Sequence, residues 1–183
     1  MDRGSYVLVI RLKRRRKIQV GHLGQADFPA GYYVYTGSAR GGLANRIARH
    51  LRKRGKKLRW HIDYLIRCPE AAVVEVLALP SRRREECRVN RLVGALPGAR
   101  VILRGFGSSD CREGCPSHLA YFSGPSPVRA FRKMAGLARQ RLQSALRGQQ
   151  GEVLHPRPPT RPFPVRGSPR TPPGPPPRSS PGG

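Results

Sequence analysis

The chain has 183 residues and carries 36 Lys+Arg against 10 Asp+Glu, a net charge of +26. Self-repulsion on that scale calls for a polyanionic partner, because phosphates neutralise the charge and release counterions. A membrane-spanning class is excluded: the longest apolar stretch, Ala71 to Leu79, is broken by Glu75 and falls far short of the ~20 residues that a spanning helix needs.

The opening MDRGSYVLVIRLKRRR has too short an apolar run for a signal peptide, so the expected localisation is cytoplasmic. The four cysteines are then expected as thiols. An anionic membrane surface is the rival partner for so basic a chain, but no long amphipathic basic helix free of core duty is apparent. Residues 151–183 hold 12 of the 19 prolines, five arginines and one glutamate. Such a stretch buries too little surface to offset ordering entropy, which predicts a disordered basic tail. Removing it leaves +22 on residues 1–150, so the basic character belongs to the domain. The organisation read from this is a domain over 1–147 and a Pro/Arg-rich tail over 148–183.

In chain order, Ser5 to Leu12 is rich in β-branched residues and predicts a strand. Lys13 to Lys17 reads as a charged turn and Ile18 to Leu23 as a return strand. Pro29 to Gly31 punctuates, and Tyr32 to Thr36 predicts a third strand. Gly37 to Gly42 is a glycine-rich turn. Leu43, Ile47 and Leu51 form an apolar stripe that predicts a helix to Arg54. Trp60 to Ile66 reads as a short helix and Ala72 to Leu79 as a buried strand. Ser81 is expected to cap a helix running to about Leu96. Val101 to Leu103 reads as a short strand, and Ser126-Pro127 opens a last helix that Gly148 ends. Strands and helices interleave without a regular βαβ rhythm, so the fold class is α+β: a small, mainly antiparallel sheet flanked by helices.

Period-2 alternation puts Tyr6, Leu8 and Ile10 on one strand face, and Tyr33, Tyr35 and Gly37 on one face of another. Arg46 and His50 stand four apart on the helix that follows. Two phenols, a guanidinium, an imidazole and a carboxylate suit phosphodiester hydrolysis, which needs a base for water, a cation for the phosphorane charge and a carboxylate for a metal. Trp60-His61-Ile62-Asp63-Tyr64 sets polar groups in an apolar frame and adds His61 to the candidates.

These residues resemble the GIY-YIG nuclease superfamily. Gly4-Ser5-Tyr6 is similar to the GIY element and Tyr35-Thr36-Gly37 to the YIG element, and Arg46-x-x-x-His50 resembles the Arg and His of the next helix. GYYVYTGSARGGL, RHLR, WHIDYL, EC and GFGSSDC resemble one uncharacterised subfamily, in some organisms fused or adjacent to endonuclease-III-type repair enzymes. The resemblance covers roughly residues 3–123. It implies a structure-selective or nicking endonuclease dependent on Mg²⁺ or Mn²⁺, acting on DNA ahead of RNA, with a DNA-repair role and a repair-protein partner. Tyr6 would be general base or water-positioning group, supported by Tyr35, with Arg46 on the phosphorane and Glu86 on the metal. Ser5 and Thr36 replace the family's isoleucines, and an inserted hairpin separates the two motifs. Helical periodicity places Glu85 nearer the apolar face than Glu86, and Glu86 is preferred only because Glu-Cys is the subfamily-like pair. A non-catalytic nucleic-acid-binding module and a structured-RNA-binding protein are the rivals.

The glycine turn leads into a helix N-terminus and exposes backbone N–H groups to an anion. Gly37, Ser38, Arg40 and Gly41, with Arg49 and Arg52 of the helix, are the candidate phosphate contacts. The turn lacks GK[ST], so it is not a nucleotide loop. The basic runs 14–17, 49–59 and 82–84 suggest a phosphate-tracking groove. Cys111, Cys115 and His118 are soft ligands close in sequence and make a candidate zinc set, with Cys87, Cys68 or His61 as the fourth.

Overall fold

The computed structural model describes residues 2–136. The boundary at residue 147 and the tail at 148–183 lie outside the described residues, and the last helix, expected to run to Gly148, ends at Met134. The elements in chain order are β1 (Gly4–Leu12), β2 (Arg16–Gln19), β3 (Gln25–Phe28), β4 (Gly31–Ala39), α1 (Leu43–Leu51), α2 (His61–Arg67), β5 (Ala71–Pro80), α3 (Glu86–Gly94), β6 (Leu119–Phe122) and α4 (Val128–Met134). The expected α+β class holds.

The main sheet runs β5-β1-β4-β6 with every neighbouring pair antiparallel. β1 and β4 are central and apolar on both faces, as strands covered on both sides must be. Alternation splits them between two cores. Tyr6, Leu8, Ile10, Tyr33 and Tyr35 pack with Leu43 and Ile47 of α1 and Ile62, Leu65 and Ile66 of α2. Val7, Val9 and Val34 pack with Val89 and Val93 of α3 and Val128 and Phe131 of α4.

Four local expectations are corrected. The residues after the first turn form a separate hairpin, β2 paired with β3, joined by a short 3-10 turn at Gly21–Leu23. β4 continues through Gly37 to Ala39, so the glycine turn shrinks to its last residues. The Ser81 hydroxyl accepts from the Arg83 N–H in a turn, and α3 starts only at Glu86. Val101 to Leu103 is not a strand: only Arg100 bridges, to Tyr121 of β6, a strand that sequence periodicity does not reveal.

A candidate active-site cleft

Register fixes the two tyrosines. Tyr6 of β1 lies opposite Gly37 of β4, and Leu8 opposite Tyr35, so both rings stand on one sheet face, with centroids 6.4 Å apart. Two glycines make room for them. A Cβ on Gly37 would sit 2.4 Å from the Tyr6 ring, and one on Gly107, whose φ is +70°, would sit 2.7 Å from Tyr35. Gly37 is therefore buried beneath a tyrosine and presents no backbone to a phosphate. This corrects its expected role.

Helix α1 brings His50 to Tyr6. The Tyr6 hydroxyl and His50 Nε2 are 2.8 Å apart, buried in the interior. The other ring nitrogen, Nδ1, faces Asp63 Oδ1 of α2 at 3.7 Å and has no hydrogen-bond partner. Burial holds His50 below the ordinary imidazole value despite Asp63; with Nδ1 turned to the Asp63 carboxylate, the ring proton belongs on that nitrogen and Nε2 accepts. Burial also pushes Tyr6 well above the usual phenol value; Arg46 opposes this, and Glu86 and Asp63 add to it. Tyr35 is raised by burial as well. The hydroxyl of Tyr6 is thus a donor to His50 at neutral pH.

Asp63 anchors this region. Its carboxylate is wholly buried and accepts from both Arg49 guanidinium nitrogens (3.2 and 3.1 Å) and from the backbone N–H groups of Arg59 and Trp60. Lys56 Nζ lies 3.1 Å from it and also donates to the carbonyls of Arg49 and His50, closing the α1 C-terminus. Burial alone would raise Asp63, but these bonds hold it far below the carboxylate range. Arg49 is committed to this internal clamp, which corrects its expected phosphate role. Arg46, one turn earlier, lies 4.4 Å from the Trp60 ring centroid, a contact that fixes the guanidinium plane. His61 Nδ1 accepts from the Gly107 N–H at 3.0 Å, and its ring lies 4.9 Å from that of His22. Burial and His22 lower its pKa.

Glu86 opens α3 and enters the same cleft. Its Oε2 accepts from the Ser38 hydroxyl at 2.5 Å, and its Oε1 lies 3.2 Å from His118 Nδ1. Burial would raise Glu86, but His118 and Ser38 outweigh it and lower the pKa. Glu85 instead pairs with Arg88 and does not line the cleft. The structure therefore places Glu86, and not its neighbour, beside the tyrosines. Ser38, expected at a phosphate, lines the cleft and donates to this carboxylate.

Beyond His118 stands a group of soft ligands. The ligand atoms of Cys87, Cys111, Cys115 and His118 all lie within 4.8 Å of one another, a set that can hold a metal such as zinc. Cys87 Sγ is 3.6 Å from Cys111 Sγ and 3.9 Å from His118 Nε2. Cys87 thus supplies the fourth ligand. Cys68 donates to Glu70 instead, and His61 is engaged with Gly107. In the metal-free chain burial pushes Cys111 up, but backbone bonds at Cys115 and Glu113 and contacts with Cys87 and His118 bring it to about 7. Burial lowers His118, yet Glu86 and the thiols raise it to about 9.

All this meets in one open cleft of about 1040 Å³, lined by Tyr6, Tyr35, Arg46, His61, Glu86 and His118 among others. Eight arginines line it (Arg3, Arg40, Arg46, Arg59, Arg82, Arg83, Arg84 and Arg112) against three carboxylates, Glu86, Asp110 and Glu113. Of the expected basic runs, 82–84 is on this rim and 49–59 contributes Arg59. Run 14–17 is not: Arg15 pairs with Asp27 and Arg16 with Glu70 on the β2–β3 side. Arg52 lies in a separate shallow depression beside Asn45. The α1 N-terminus is not open to an anion either, because the Asp2 carboxylate accepts from the Gly42 N–H at 2.8 Å. Gly41 beside it is exposed and lines no part of the cleft.

Sequence reasoning missed the Asp63 clamp with Lys56, and it missed His22. No local motif marks them; only the α1–α2 packing brings the first two together. Among the described residues no helix is long and apolar enough to cross a membrane. No curated protein and no solved structure matches the chain. Residues 5–139 match the model of a family described as Domain of unknown function DUF123, and the chain belongs to that family.

Proposed function

We propose that the chain is an endonuclease of GIY-YIG type that hydrolyses nucleic-acid phosphodiester bonds with Mg²⁺ or Mn²⁺, in DNA repair. The observation that carries this reading is that Tyr6, Tyr35, Arg46 and Glu86, distant in sequence, line one arginine-rimmed cleft. The rim arginines hold the backbone and carry no sequence preference. Glu86 would hold the divalent ion, whose chemistry is to polarise water and neutralise charge on the phosphate. The Tyr6 hydroxyl would orient the attacking water and take its proton as it hands its own to His50 Nε2, with Asp63 facing the far side of the imidazole. Arg46, held against Trp60, meets the charge that develops on phosphorus. Tyr35 packs beside Tyr6 and keeps its ring in place. Zinc is the ion that suits the Cys3His group, where four protein ligands leave no open position and the role is structural.

The test is incubation of the purified protein with branched, nicked, abasic and single-stranded DNA and RNA, with and without Mn²⁺. The reading expects metal-dependent DNA cleavage that Tyr6→Phe slows. Binding without cleavage, indifferent to Tyr6→Phe, would select a non-catalytic module. Preference for structured RNA would select an RNA-binding protein.

A further inference from the structure

Glu86 lines the cleft with the two tyrosines and also faces His118 of the Cys3His group. We infer that the Cys87–Cys111–Cys115–His118 group is a zinc centre whose outer carboxylate is Glu86, so that zinc positions the acid that the nuclease uses. The second half of this inference rests on the function proposed above.

The argument begins with spacing. Tetrahedral zinc with Zn–S of about 2.3 Å and Zn–N of about 2.0 Å sets neighbouring ligand atoms roughly 3.5–3.8 Å apart. The Cys87–Cys111 and Cys87–His118 separations are 3.6 and 3.9 Å. The ligands come from separate places: Cys87 from the first turn of α3, Cys111 and Cys115 from the loop before β6, and His118 from the residue preceding β6. An ion there would join α3 and the loop to the sheet. His118 is the fixed point, since its N–H donates to the Phe106 carbonyl and its carbonyl accepts from Thr36 of β4.

Orientation carries the rest. Nε2 of His118 is the nitrogen that faces Cys87. Metal on Nε2 leaves the proton on Nδ1, and Nδ1 is a buried nitrogen with no hydrogen-bond partner that faces Glu86 Oε1 at 3.2 Å. A carboxylate on the far nitrogen of a zinc-bound imidazole fixes ring and tautomer and strengthens the ligand. The same contact works in reverse. With Oε1 facing a fixed N–H and Oε2 held by Ser38, Glu86 is locked in one rotamer. Each oxygen keeps a further lone pair for a cation in the cleft. Without zinc the imidazole is no longer tied to the thiolates, and the contact that guides Glu86 Oε1 is free to move with it.

The experiment measures metal without nucleic acid. Full-length protein is titrated with zinc against a competing chelator, the site is read by the ligand-field spectrum of its Co²⁺ form, and Mn²⁺ binding is followed by electron paramagnetic resonance with and without zinc. The expected result is one tetrahedral thiolate-bound ion per chain, lost in Cys111→Ser. Glu86→Gln should keep the fold and the Co²⁺ spectrum but weaken zinc binding by about tenfold or more, the usual effect of losing such a carboxylate. Stripping zinc should weaken Mn²⁺ binding. An unchanged zinc affinity in Glu86→Gln, or Mn²⁺ binding indifferent to zinc, would overturn the coupling, and absence of a thiolate-bound ion would overturn the centre itself. A zinc-loaded protein that behaves as expected yet cuts no substrate would sink the nuclease reading alone.

Discussion

Tyr6 sits where packing, hydrogen bonding and the proposed chemistry converge, and single substitutions separate these. Gly37→Ala puts a Cβ 2.4 Å from the Tyr6 ring, and a β-strand gives neither side room to move. Overpacking of that kind typically costs about 1–3 kcal/mol, so the urea midpoint should fall and the Tyr6 ring should shift. Tyr6→Phe keeps the ring and leaves the buried His50 Nε2 without a partner, a loss of roughly 1–3 kcal/mol readable in the same titration. His118 supplies a pH test. In the metal-free chain its pKa is raised to about 9, whereas the unfolded value is about 6.5. Its contribution is full below the unfolded value and is lost as pH rises through the folded one. His50, lowered by burial, acts with the opposite sign and erodes stability as pH falls below its ordinary value. With chelator present, the denaturation midpoint should fall between about pH 6.5 and 9, and His118→Asn should flatten that fall. Zinc should flatten it too, because a metal-bound Nε2 has no proton to lose.

At the scale of elements, legibility followed burial pattern. β1, β4 and β5 were readable as long runs of β-branched and aromatic residues bounded by turn residues, and α1 by an apolar stripe of period 3.6. β6 was not: Leu119–Phe122 is buried at every position, and four apolar residues after a long polar, Gly-bearing loop are too short a run to stand out. Val101 is β-branched yet 45% exposed, so propensity named a strand that no partner completes. Ser81 misled because its hydroxyl closes a turn as well as a cap would. In the site, Tyr6, Tyr35, Arg46 and Glu86 were legible through motif order. Gly37, Ser38 and Arg49 were assigned to phosphate, yet Gly37 is buried under Tyr6 and the other two bond protein carboxylates, because a glycine, a serine and an arginine look alike in sequence whether they serve a ligand or a neighbour. Asp2 is the same case in reverse: its carboxylate occupies the α1 N-terminus. Asp2→Ala should lower stability by about 0.5–2 kcal/mol, as lost N-terminal caps do, measurable as a drop in Tm.

For the whole molecule, charge is the dominant feature. A net +26 and eight arginines lining the cleft support the phosphate-backbone ligand proposed above. If six or more phosphates are contacted, log K against log salt should slope at about −5 or steeper on duplex DNA. Because binding is spread over many arginines and the proposed chemistry over few groups, affinity and cleavage should separate under mutation. Losing one electrostatic or acid–base group costs ~10²–10⁴-fold in rate, far more than one phosphate contact costs in affinity. The most direct test is therefore the single-turnover cleavage rate of a branched DNA in Mn²⁺ by wild-type, Arg46→Ala and Glu86→Ala protein, each at saturating concentration. The account predicts robust cleavage by the wild type and a loss of at least about 10²-fold in both variants, with binding nearly intact. Equal cleavage by all three would contradict it.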